Sequence, residues 1–134
     1  MEAEIEIAGK KVHIKSSGVS PILYKTAFGQ DYFNDIAHIY EVLATVPGPQ
    51  DFKDKNNPDA VQAALNYQAG LGMAVIKSGI AMTMIDFLWV YAKNYDDKIP
   101  QLEEWLKSFD DMPINDFFDE LMTFIDHSLQ TKKV

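Results

Sequence analysis

The chain contains no cysteine and no arginine among its 134 residues. Without thiols, disulfide frameworks, thiolate metal sites and cysteine nucleophiles are all excluded. All twelve basic residues are lysine, so the planar guanidinium fork that grips a phosphate or carboxylate at two points is missing as well. Positive charge is short in total: the formal net charge is −8, which disfavours nucleic acid and anionic membrane surfaces as partners. Glycine is sparse, and the GLG at Gly70–Gly72 lacks the third glycine and the preceding strand of a dinucleotide loop. No serine elbow is present, and no cofactor is expected.

The histidines are equally unhelpful to chemistry. His13, His38 and His127 have no partner at the i+3 or i+4 spacing that lets two imidazoles hold one metal, so no metal site is expected. Asp35 and Glu41 flank His38 in the manner of a surface helix pair. Asp96-Asp97 and Asp110-Asp111 look like paired carboxylates, but adjacent side chains diverge. Both pairs precede proline-started segments, where acids compensate a helix dipole. The expectation is that the chain is not an enzyme.

A long uncharged run is also lacking. Ala69–Ala92 has the length of a membrane span, yet Lys77 and Asp86 would each cost about 2.5 to 3.5 kcal/mol near a bilayer centre. A buried central helix is expected instead, and no membrane partner. Met73, Met82 and Met84 fall in this stretch among small residues. Clustered thioethers suit irregular apolar partners, which makes these three the candidate partner-binding residues.

What is present is enough apolar material, 47% of residues with 12% aromatic, to close one core, so a single domain over residues 1–134 is expected. Ile5 and Ile7 alternate with glutamates, Val12 and Ile14 with lysines and His13, and Ala8-Gly9-Lys10 supplies the turn: residues 1–15 read as a β-hairpin with glutamate–lysine pairing on its outer face. Ser20-Pro21 supplies a capping hydroxyl and a proline for a helix that Gly29 ends, and Asp31 caps a second, so 20–44 is a helical pair. Tyr32, Phe33, Ile36, Ile39, Tyr40 and Leu43 define the apolar face of the second helix. Residues 45–57, with two prolines and a glycine, read as an exposed loop. Residues 58–130 are helical: a long stretch from Asn57-Pro58 to Asn94 with weak points at Gly70, Gly72 and Gly79. A short helix from Pro100 follows, with Leu102, Trp105, Leu106 and Phe109 inward. The last starts at Pro113 or Asn115, with Phe117, Phe118, Leu121, Met122, Ile125 and Leu129 as its stripe. The predicted fold class is mainly α (α+β), a hairpin followed by a bundle of five or six helices.

Charge is uneven along this plan. Residues 1–55 hold eight acids and six lysines, residues 56–134 twelve acids and six lysines. The acidic half is expected to be the solvated one. The first residues lack the basic region and apolar run of a secretory signal, so a cytoplasmic location is expected.

Several runs taken in order resemble one family. They are Gly9-Lys10-Lys11 in the hairpin, Leu23-Tyr24-Lys25, Phe28-Gly29, Asp31 with Phe33, and the segment from Asp86 to Pro113 with its LEEWLKSF core. The order and spacing of these runs resemble the tail assembly chaperones of long-tailed bacteriophages and prophages. The resemblance implies a non-catalytic protein of the host cytoplasm, absent from the mature virion. It would bind the tape-measure protein, a long apolar-striped helical polypeptide, and keep it soluble while the tail tube polymerises. It also implies self-association into an oligomer and contact with the tail-tube protein. In many members a ribosomal frameshift near the end of the gene appends a second domain, and Lys132-Lys133 are compatible with the adenine run this needs. The alternative is a stand-alone helical protein-interaction or regulatory module.

Overall fold

Ile5 and Ile7 on one strand and Val12 and Ile14 on the next turn to one face because of how the strands pair. β1 (Glu2–Ile7) and β2 (Lys10–Lys15) run antiparallel with Ile5 opposite Val12 and Ile7 opposite Lys10. The connection is the two-residue loop Ala8-Gly9, at φ 51° and 77°. Positive φ at both positions gives a turn whose twist matches that of the strands. On the outer face Glu4 lies 3.3 Å from His13 and 3.9 Å from Lys11. These solvated pairs contribute at most about 1 kcal/mol each.

The computed structural model of the chain describes residues 1–46 and 58–130. From residue 47 onward the predicted loop lies outside the described residues, as do Lys132 and Lys133. Among the described residues the hairpin is followed by six helices: α1 (Ser20–Phe28), α2 (Tyr32–Ala44), α3 (Pro58–Ser78), α4 (Ile80–Tyr95), α5 (Leu102–Leu106) and α6 (Ile114–Ser128). The fold is mainly α, of the α+β class.

Gly29 ends α1 as its residue type requires, at φ 70° with its N–H donating to the Lys25 carbonyl at 2.8 Å. Ser20 departs from expectation. It is the first residue of α1 rather than its cap, and no side chain caps that end. Its buried hydroxyl instead accepts the Ser17 N–H at 3.1 Å and the Asn94 amide at 3.4 Å. Asn94 also donates to the Lys15 carbonyl at 3.0 Å, so one amide on α4 ties the end of β2 to the start of α1. Of the three glycines between Asn57 and Asn94, only Gly79 interrupts a helix. Its φ is 82°, a left-handed conformation that a side chain would strain. No single helix among the described residues is long and apolar enough to cross a membrane.

The chain clusters into two compact units. The first, Met1–Tyr32 with Met82–Val134, holds the hairpin, α1, most of α4, α5 and α6. α6 packs on β1, and Phe117, Phe118, Leu121, Phe124 and Ile125 of α6 are buried, as is the aliphatic face of the hairpin. Phe124 belongs to this face where the sequence stripe placed Met122 and Leu129. Met122 is only half-buried, and Leu129, one residue past the helix, is exposed. The centre of this unit is aromatic. Tyr24 stacks on Phe87 at 4.6 Å between centroids, and Tyr91 meets Phe124 edge-on at 4.9 Å.

The second unit, Phe33–Ala81, comprises nearly all of α2, all of α3 and the first residues of α4. Ile36, Ile39, Val75 and Ile80 are buried, while Phe33, Tyr40, Leu65, Met73 and Ile76 are exposed. The predicted face of α2 is therefore narrower than six residues. Phe33 and Tyr40 fall on its outer side.

Candidate functional site

The two stretches that carry the family resemblance, Leu23–Gly29 and Leu102–Phe109, converge in the first unit on one open groove of about 1010 Å³. α1 supplies Leu23, Thr26, Ala27 and Phe28 as one wall. Leu23, Thr26 and Ala27 lie at i, i+3 and i+4, along one side of the helix, and Phe28 is its last residue. The opposite wall is α5 with the residues on either side of it: Gln101, Leu102, Glu103, Glu104 and Lys107. Trp89 and Lys93 of α4, one turn apart, also line it.

Each wall has a physical reason for its position. Phe28 meets Trp89 edge-on at 5.6 Å and Tyr24 at 5.2 Å, so the end of α1 is anchored in the aromatic core. The Trp89 indole N–H donates to the Pro100 carbonyl at 2.9 Å. Lys93 donates to the carbonyls of Asp97, at 2.9 Å, and Ile99. α4 thereby holds the loop 96–101 and delivers α5 to its place. Trp105, 7% exposed, points into the core, with its ring edge-on to Phe109 at 5.1 Å. The ammonium of Lys10, in the hairpin, lies 4.8 Å from the Phe109 centroid and donates to the Ser108 hydroxyl at 3.2 Å.

The phenols of Tyr32 and Tyr91 are hydrogen-bonded at 2.6 Å in the interior. Burial, outweighing hydrogen bonds, pushes the Tyr32 phenol above its ordinary value. Burial, reinforced by the neighbouring Tyr32, raises Tyr91 strongly. Two neutral phenols sharing one hydrogen bond fill a core position; neither is poised to give up a proton near neutral pH. Among the described residues no buried side-chain nitrogen or oxygen lacks a hydrogen-bond partner. Among the same residues no cluster of three or more histidines and carboxylates could hold a metal.

The residues singled out from sequence are placed as follows. Met73 and Met82 are exposed, 50% and 54% respectively, but Met84 is fully buried. Positions two apart on a helix differ by about 200° around its axis, so Met82 and Met84 cannot share a surface, and Met84 is a core residue. Asp96 and Asp97 do not sit at the start of a helix. Asp96 accepts the Lys98 N–H at 3.0 Å and caps a turn, and the acids in the first turn of α5 are Glu103 and Glu104. Asp110 and Asp111 are exposed ahead of α6, whose first-turn acid is Asp116. His38 lies 4.0 Å from Glu41 as a surface pair, and His13 stacks on Tyr95 at 5.0 Å. The groove itself was not predicted, although Leu23, Phe28, Trp89 and Leu102 all lie in runs marked by the resemblance. Compared with protein-family models, curated proteins and solved structures, the chain matches none.

Proposed function

We propose that this chain is a non-catalytic assembly chaperone of the bacteriophage tail type, holding a long, apolar-striped helical client of the tape-measure kind in the host cytoplasm. The observation that carries the reading is the groove: the segments that resemble the family in sequence, far apart in the chain, line one open groove in which Leu23, Ala27, Phe28, Trp89 and Leu102 sit among polar residues. A holder of this kind needs no reactive group. It needs apolar surface for the client and a net charge that keeps the complex dispersed, and −8 on 134 residues supplies the second. Self-association and contact with the tail-tube protein belong to the same reading.

The test is to search the DNA beside this gene for a reading frame encoding a long helical protein and to co-express the two. Expected is a shift of that protein from the insoluble to the soluble fraction and its co-purification with this chain. An unchanged distribution, with the chain remaining a strict monomer at high concentration, would instead favour a stand-alone interaction or regulatory module.

A further inference from the structure

We propose that α3 is an interface between two copies of this chain, which cross antiparallel through Leu65, Ala69, Gly72 and Ile76. The inference rests on the self-association included in the proposed function, and it assigns that association a surface, an orientation and a strength. α3 is apolar on two sides. Tyr67, Leu71, Ala74 and Val75 turn one way and are buried or half-buried. Leu65, Ala69, Gly72 and Ile76, spaced 4, 3 and 4 residues apart in the sequence, fall within about 60° of one another on the opposite side. Leu65 is 55% and Ile76 62% exposed, Ala69 is exposed, Gly72 is half-buried, and Met73 borders the stripe. A helix that is apolar on both sides is ordinarily covered on both, and this spacing is that of a seam between two helices.

The occupant is a second copy for two reasons. The first is charge. Two copies that each carry −8 repel wherever their acids meet. Residues 60–76 form the longest run in the chain without a charged residue, so α3 is where like copies approach at least electrostatic cost. The second reason is the order of sizes along the stripe. Large, small, small, large reads the same in both directions about the midpoint between Gly70 and Leu71. A two-fold axis through that midpoint sets Leu65 of one copy against Ile76 of its partner, and Ala69 against Gly72. The small residues let the helix axes approach at the crossing while the large ones pack on either side of it. Antiparallel order also opposes the two helix dipoles. Leu65, Met73, Ile76 and the small residues between them fall short of the roughly 800 Å² per partner of a standard interface. The dimer is therefore expected to form at micromolar rather than nanomolar concentration.

The test is sedimentation velocity on the full chain from about 1 μM to about 1 mM, where a monomer passing to a dimer is expected. Ala69→Glu puts a charge from each copy at the crossing, on a position that is exposed in the single chain. It is expected to raise the dimer dissociation constant at least about tenfold, with helix content by circular dichroism unchanged. Ile22→Gln, on an exposed position of α1, is expected to change nothing. Orientation is read by cross-linking. The chain has no cysteine, so Leu65→Cys and Ile76→Cys each carry a single thiol. Mixed and oxidised, the two variants are expected to form a disulfide-linked dimer. Leu65→Cys alone is not, because the antiparallel crossing sets the two copies of that position about 16 Å apart along the axis, beyond the reach of a disulfide. A strict monomer at the highest concentration overturns the proposal, as does cross-linking of Leu65→Cys alone but not of the mixture. A dimer untouched by Ala69→Glu also overturns it and leaves self-association intact on another surface. If the wild type is monomeric and Ala69→Glu instead loses the co-expressed helical protein, the stripe belongs to the client. Conversely, the expected dimer and cross-link combined with failed co-expression would uphold the interface and remove the tail-assembly role.

Discussion

Tyr91 shows how much one side chain can carry in a core this aromatic. Its hydroxyl is paired with that of Tyr32 at 2.6 Å, and its ring packs on Phe124. Tyr91→Phe removes one hydrogen bond of the Tyr32 hydroxyl, which also bonds Ser128, and is expected to lower stability by about 0.5 to 1.5 kcal/mol, read from urea unfolding. The pair also sets a pH limit. Both phenols are raised above their ordinary value of 10.0, so above pH 10 the unfolded chain releases protons that the folded chain retains. Stability is therefore fully present below pH 10 and lost as pH rises beyond it. The wild type should lose stability steeply between about pH 10 and 12, and Tyr32→Phe/Tyr91→Phe less steeply; parallel curves would show that other groups govern the alkaline limit. Ser20 makes a different point at this scale. Its type and its place before Pro21 specified a cap, yet its hydroxyl serves a buried junction with Asn94, because the partner came from a residue far along the chain.

Among the elements, α5 is the shortest and the most dependent on tertiary support. Five residues cannot sustain a helix alone; Trp105 anchors it, buried against Phe109. Trp105→Ala should cost about 3 to 5 kcal/mol in chemical denaturation, and a change within error would mean that the ring does not hold the helix. The boundary between α3 and α4 rests on a single backbone conformation. At Gly79, φ is 82° and an added Cβ would meet nothing within 4 Å, so the penalty of Gly79→Ala is conformational and should be about 1 to 2 kcal/mol. No loss of melting temperature would imply that the helices rejoin into one. Element type was legible wherever periodicity was strong, as in the hairpin and the Phe117–Ile125 stripe. It was ambiguous at Gly70, Gly72 and Gly79, because glycine permits a break without requiring one.

For the whole molecule the governing quantity is charge. A net −8 and an isoelectric point near 4.7 predict a solubility minimum close to that pH, where self-repulsion vanishes and exposed residues such as Ile22, Phe33, Leu65, Met73 and Ile76 are free to associate. Light scattering across pH 4 to 8 checks this; a flat profile would show that charge is not what keeps the chain dispersed. By itself the sequence determined the fold class, the strongly periodic elements and the acidic character. These follow from composition and from local period, which each residue shares with its near neighbours. Only the tertiary structure decided that Met84 is core while Met82 is surface, that Phe28, Trp89 and Leu102 line one groove, and that Lys93, also in its lining, donates to the carbonyls of Asp97 and Ile99. Those outcomes depend on which helix faces meet across long stretches of chain, and no local pattern records that choice.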